Sequence, residues 1–182
     1  IGALELDWRL FGCILIGLAA GISMGLWSEL FTSFAYRFTQ GISKSARIGP
    51  ANVIISGLAV GMYSCVGPAL LLASVILACF SLADSVYGVA LASTGLLSTL
   101  GITLATDAYG PVADNAGGIA EMAHLPAKVR ENTDTLDALG NTTAAIGKGF
   151  AIGSALLTAF SLLQNFAKNA ITGGVDAIND EY

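Results

Sequence analysis

Four apolar runs dominate this 182-residue sequence, and each is long enough to cross a bilayer. A helix covers a ~30 Å hydrocarbon core in about 20 residues. With their polar ends, the predicted spans are residues 10–31, 53–83, 86–122 and 140–165, joined by loops at 32–50 and 123–139. Only 12% of residues are charged, whereas soluble domains carry about 25%. The 22 glycines fit the same picture, because small residues let membrane helices approach closely. No period-2 alternation persists, which argues against a β-barrel. The fold class is therefore all-α, a polytopic transmembrane bundle.

Two spans carry small-residue stripes. Gly17, Gly21 and Gly25 recur at four-residue spacing in the first, and Gly149 and Gly153 in the fourth. The second is too long for one straight crossing, and Gly67-Pro68 predicts a kink in its middle. Cys13, Cys65 and Cys79 lie in apolar runs without metal-ligand spacing, and read as buried free thiols. The chain opens without Met or a basic n-region and ends in a polar tail at 173–182, so it is expected to be a piece of a longer protein.

Basic residues set an orientation. Arg37, Lys44 and Arg47 separate spans one and two, and Lys128 and Arg130 separate spans three and four, while the intervening turn holds only Asp84. The positive-inside rule places the two basic loops in the cytoplasm. The net charge of −5 leaves no basic face for nucleic acid.

Asp107, Asp114 and Glu121 fall seven residues apart at the end of span three. Seven residues is close to two helical turns, so a continuous helix puts them on nearly one face. Glu29, Asp114, Glu121, Asn141 and Lys148 come from three spans, yet all lie near cytoplasmic ends, where they can line one polar pocket. Carboxylate and amide oxygens are hard ligands suited to Mg²⁺ or Ca²⁺. Lys148 can neutralise a phosphate oxygen as a point charge.

Blander roles compete for some of these residues. Glu29 can cap or snorkel. Asp107, before Pro111, is expected to hydrogen-bond between helices, and Glu121 to face water. Asp134 and Asp137 read as charges at a helix N-terminus. His124 is the lone histidine and reads as a solvated loop residue. Gly140 to Gly149 is not a phosphate loop, because Gly149 follows the lysine where Ser or Thr is needed.

The stretch Asp107-Ala-Tyr-Gly-Pro-Val-Ala-Asp-Asn-Ala-Gly-Gly-Ile-Ala-Glu-Met, followed by Thr133-Asp-Thr-Leu-Asp-Ala-Leu-Gly-Asn-Thr-Thr-Ala-Ala-Ile-Gly-Lys-Gly-Phe-Ala-Ile-Gly-Ser-Ala, resembles the membrane-bound proton-pumping inorganic pyrophosphatases. Ser28-Glu-Leu-Phe-Thr-Ser and Arg47-Ile-Gly-Pro-Ala-Asn-Val-Ile are similar to further family segments, the second with one residue missing. The resemblance implies a homodimer of about sixteen-helix subunits, of which this chain is the central quarter. It implies pyrophosphate hydrolysis at a cytoplasm-facing Mg²⁺ site, coupled to movement of H⁺ across a vacuolar or acidocalcisome-type membrane. Glu29, Asp114 and Asn141 become Mg²⁺–pyrophosphate contacts, with Lys148 in the same motif. Ala144 and Gly147 match the K⁺-dependent pattern, in which K⁺ occupies the place of a lysine ammonium. The water-activating carboxylates fall outside the chain, so the fragment alone is expected to be inactive. The alternative is a cation transporter or exchanger that uses the acidic row as an ion path without hydrolysis. A third class is a purely structural helical module.

Overall fold

The structure is a computed structural model that describes residues 7–179. Side chains of the polar tail at 173–182 lie outside the described residues. Seven α-helices follow one another: α1 Trp8–Thr32, α2 Arg37–Ser45, α3 Pro50–Ser64, α4 Val66–Ala83, α5 Val86–Leu96, α6 Leu100–Met122 and α7 Ala127–Asn179. A short 3₁₀ turn, Leu97–Thr99, links α5 to α6. No strand occurs among the described residues. Taken with their continuations, four helical stretches are long and apolar enough to cross a membrane. Large apolar side chains such as Ile54, Leu58 and Met62 accordingly point outward.

The ends of these helices follow from local chemistry. Asp7 caps α1 by accepting from the Arg9 N–H at 2.9 Å, and Ser85 caps α5 by accepting from Tyr87 at 3.2 Å. Helix α6 closes with paired bonds, Leu125 N–H to Ala120 and His124 N–H to Glu121, which place His124 at φ 52°. That is a left-handed cap with histidine where glycine is usual. His124 is exposed there, as expected of a solvated turn residue.

Two connecting regions differ from the sequence reading. Residues 32–50 contain the helix α2, and the predicted loop 123–139 is a turn at 123–126 followed by the first turns of α7. Polar composition hid that helix, because only apolar runs marked the spans. The second span breaks at Cys65 rather than at Gly67-Pro68. Pro68 has no N–H, so the Ser64 carbonyl four residues earlier loses its helical partner, and the distortion falls in the preceding turn. The Trp27 indole N–H donates to that carbonyl at 2.8 Å. Cys65 consequently lies exposed at the break, contrary to expectation, whereas Cys13 and Cys79 are buried.

The core sits where α1 crosses α5 and α4. A Cβ on Gly17 would overlap the Ala92 carbonyl, and one on Gly95 would overlap the Ile14 carbonyl. The backbones of α1 and α5 are therefore in direct contact. Around this crossing pack Cys13, Leu72, Val75, Val89, Leu96 and Leu157. Farther along, Gly153 meets Met24, so the fourth-span stripe also serves close packing. Hydroxyls in the spans mostly bond back to the preceding turn, as Ser23, Ser74 and Thr106 do. Ser93 is different: its Oγ donates across to the Ser154 carbonyl at 3.2 Å and lies 3.0 Å from Thr158 Oγ1.

The α1–α5 contact predicts a sharp contrast between glycines. In the full-length parent, Gly95→Ala should destabilise by roughly 1–3 kcal/mol through overpacking. Gly41→Ala should be close to neutral, since nothing lies within 4 Å of its added Cβ. Thermal unfolding in detergent checks both; an unchanged melting temperature for Gly95→Ala would remove this contact from the core.

Candidate functional site

The site residues ride on an antiparallel hairpin of α6 and α7. Thr103 meets Gly147, Gly110 meets Gly140 and Gly117 meets Thr133. Partners advance seven residues on α6 while retreating seven on α7, the repeat of a left-handed coiled pair. At Gly110 and Gly140 the backbones touch; a Cβ on Gly140 would lie 2.7 Å from the Gly110 Cα. Asp107, Asp114 and Glu121 each follow this contact row by four residues, a rotation of about 40°. The acidic row therefore flanks the interface, and the predicted continuous helix through it is present with Pro111 inside.

The three carboxylates have different fates. Glu121 accepts from Arg130 Nη1 at 2.9 Å, and Asp134 accepts from Arg130 Nε at 2.7 Å. The same Nη1 donates to the Gly117 carbonyl at 2.7 Å. Glu121 is thus exposed but paired, not merely facing water. The sequence marks Arg130 only as a charge, and only the fold brings its three acceptors together. Asp114 is exposed and has no ion pair or hydrogen bond among the described residues. Asp107 is half-buried and makes no helix–helix hydrogen bond among the described residues, contrary to expectation. Its backbone carbonyl lacks a helical partner, because Pro111 has no N–H.

Asn141 is exposed on α7, and its Nδ2 donates to Asp137 Oδ2 at 3.1 Å. Asp137 is therefore an added oxygen donor beside Asn141, signalled in the sequence only by their four-residue spacing. Along the hairpin register, Asp114 is level with Leu136 and Asn141 with Tyr109, a separation of about 7 Å along the axis. Lys148 is exposed two turns deeper, roughly 10 Å from the level of Asn141. Gly147 is buried against Thr103, and Ala144 is half-buried one turn before it.

Glu29 approaches from α1. The row Gly21, Gly25, Glu29 faces α7: a Cβ on Gly21 would lie 2.9 Å from Phe150, and one on Gly25 3.6 Å from Ile146. Next to Glu29, the Ser28 hydroxyl would lie 3.3 Å from a Cβ on Gly149, so half-buried Glu29 stands beside the α7 stretch between Asn141 and Lys148. The structure thus brings Glu29 to the stretch of α7 that carries Asn141 and Lys148, with Asp137 and Asp114 farther toward the hairpin tip. It does not gather all of the predicted donors. No group of three or more His, Cys, Asp or Glu side chains converges among the described residues. A groove of about 360 Å³ between α1, α4 and α7 is mostly apolar, lined by Trp27, Phe31, Pro68 and Leu72, and excludes the predicted residues.

The donor chemistry fits Mg²⁺, which takes oxygen ligands and is held through one or two carboxylates, waters and substrate phosphates rather than an all-protein cage. Separate, uncompensated oxygens on neighbouring helices suit that pattern.

The family model described as inorganic H⁺ pyrophosphatase matches residues 3–181. A Bacteroides thetaiotaomicron protein, assigned by name to the K⁺-stimulated pyrophosphate-energized sodium pumps, is 52% identical over 181 residues, covering 93% of this chain and 25% of its own length. The K⁺-stimulated pyrophosphate-energized sodium pump of Thermotoga maritima is 49% identical over 158 residues, 87% of this chain and 22% of that protein. The K⁺-insensitive pyrophosphate-energized proton pump of Methanosarcina mazei is 42% identical over 172 residues, 91% of this chain and 26% of that protein. The chain spans about a quarter of the length of these relatives.

Arg130 makes the hairpin tip testable. In the parent, Arg130→Ala should accelerate amide hydrogen exchange over residues 117–134, with a local loss of about 1 kcal/mol that shrinks at high salt. Exchange unaltered by the substitution would show that the tip is held by other contacts.

Proposed function

Because the chain belongs to the inorganic H⁺ pyrophosphatase family, we propose that it forms one wall of a Mg²⁺-dependent pyrophosphate site in a longer, dimeric membrane pump. The observation that carries this reading is the contrast within the acidic row. Arg130 pairs with Glu121 and Asp134, while Asp114 has no ion pair on the flank of the hairpin. Uncompensated acids at this position suit a cationic ligand, and the relatives are named for a pyrophosphate-driven activity.

Asp114, Glu29 and Asn141 would hold Mg²⁺, which when bound neutralises the diphosphate and polarises a phosphoryl oxygen. Lys148 contributes a positive charge toward phosphate, and Asp137 orients the Asn141 amide through its hydrogen bond. The positive-inside pattern supports a cytoplasmic side for these helix ends. Proton movement is the transport reading drawn from the sequence resemblance. Sodium is a second reading, supported by relatives 49% and 52% identical that are named sodium pumps, against 42% for the proton pump. Ala144 and Gly147 favour stimulation by K⁺, in line with the names of those two relatives.

The test uses membrane vesicles carrying the full-length parent. Pyrophosphate should drive either acidification or sodium uptake, and hydrolysis should rise with K⁺. Asp114→Asn should lower hydrolysis on the order of 10- to 100-fold. Cation movement without pyrophosphate consumption would favour an exchanger, and an unchanged Asp114→Asn rate would remove this residue from the site. Equal rates with and without K⁺ would sink the role given to Ala144.

A further inference from the structure

The break in the second span is held in an unusual way. Pro68 strips the Ser64 carbonyl of its helical donor, and the Trp27 indole replaces it from another helix at 2.8 Å. The fit is tight on the other side as well: a Cβ on Gly67 would lie 2.6 Å from Trp27 Cδ2 and Cζ2. Glycine at 67 is what lets the indole lie flat against α4. Phe31, one turn farther on α1, is buried and packs against Trp27 at 5.3 Å between ring centroids. It stacks on Phe38 of α2 at 4.2 Å, and Thr39 Oγ1 donates to the Phe31 carbonyl at 3.3 Å.

Glu29 lies between these two anchors. Residues 27 and 31 share one helical face, and residue 29 points away from it, on the Gly21–Gly25 row toward α7. Toward α7, Gly21 and Gly25 receive Phe150 and Ile146, and Met24 and Ser28 meet Gly153 and Gly149, which are van der Waals contacts without direction. On the other face Trp27 adds a directional bond close to the end of the helix.

We propose that Trp27 is a positioning residue: by donating to the Ser64 carbonyl freed by Pro68, it sets the rotation of α1 that aims Glu29 at the Asn141–Lys148 stretch of α7. The proposal rests on the reading of Glu29 as a Mg²⁺–pyrophosphate contact. Nothing in the chemistry of tryptophan requires it to touch substrate. Its effect passes through the backbone of half a helical turn.

The full-length parent tests this through the Mg²⁺ dependence of pyrophosphate hydrolysis. Trp27→Phe keeps a ring and removes the N–H. Gly67→Ala leaves Trp27 intact and pushes the indole off Ser64. Both should raise the half-saturating Mg²⁺ concentration roughly three- to tenfold, and Glu29→Gln should move the same parameter. Pro68→Ala returns an N–H to the Ser64 carbonyl, so Trp27→Phe with Pro68→Ala should fall within about twofold of Pro68→Ala alone. If Glu29→Gln shifts the Mg²⁺ dependence while Trp27→Phe and Gly67→Ala do not, Trp27 is not a positioning residue, even if either variant melts earlier. If Glu29→Gln leaves the dependence unchanged, Glu29 is not a contact and both readings fall.

Discussion

The antiparallel register of the third and fourth spans fixes everything else that matters in this chain. Lipid gives no hydrophobic drive for two apolar helices to associate, so their pairing depends on close packing and interhelical bonds. Thr103–Gly147, Gly110–Gly140 and Gly117–Thr133 supply the packing. The Ser93 bonds to Ser154 and Thr158 extend the same register to the other end of the pair. Because the repeat is seven residues on both helices, the row at 107, 114 and 121 stays at a constant angle to the interface instead of winding around it.

That hairpin is much longer than a bilayer is thick. The 53 residues of α7 span about 80 Å, against a hydrocarbon core of ~30 Å. Helix α1 ends at Thr32, close to the level of Ala145, so the hairpin tip continues roughly 25 Å beyond it. Asp114, Asp137 and the Arg130 cluster lie in this projecting part, where exposed charge is cheap. Glu29 and Asn141 lie at its base. The expense of bare polar groups in lipid explains the bonds found deeper down: an unpaired backbone carbonyl there costs several kcal/mol. Trp27 answers that cost at Ser64, where the proline of the same span created it.

Hydropathy made the four spans legible, and spacing made the acidic row legible, because both are properties of a single helix. What escaped the sequence depends on two helices at once. Pro68 announced a break but not its place, since a missing donor acts on the carbonyl one turn earlier. Cys65 read as buried because its neighbours are apolar, yet the break turns it outward. Residues 127–139 look like a loop to a hydropathy scan, because a helix supported on only one side can be polar elsewhere. Glu121 and Asp114 are indistinguishable by spacing. Only the turn at 123–126, which folds Arg130 back onto α6, separates a structural acid from an uncompensated one.

The geometry also says where the rest of a site has to come from. The tip of the hairpin is closed by Arg130, and the interface itself is filled by glycine and threonine, so neither offers space for a multiply charged ligand. Asp114 faces sideways from the hairpin, and Glu29 enters from α1 at the base. A diphosphate with its metal ions needs oxygen and nitrogen donors around most of its surface, whereas this wall presents them on one flank. On the proposed reading, the completing groups stand beside the hairpin rather than in the turn above. About three quarters of the length of the matched relatives lies outside the region this chain covers, ample chain for such helices. In that arrangement the exposed flank of α6 is not a solvent face left over from packing. It is the surface on which the remaining wall would close.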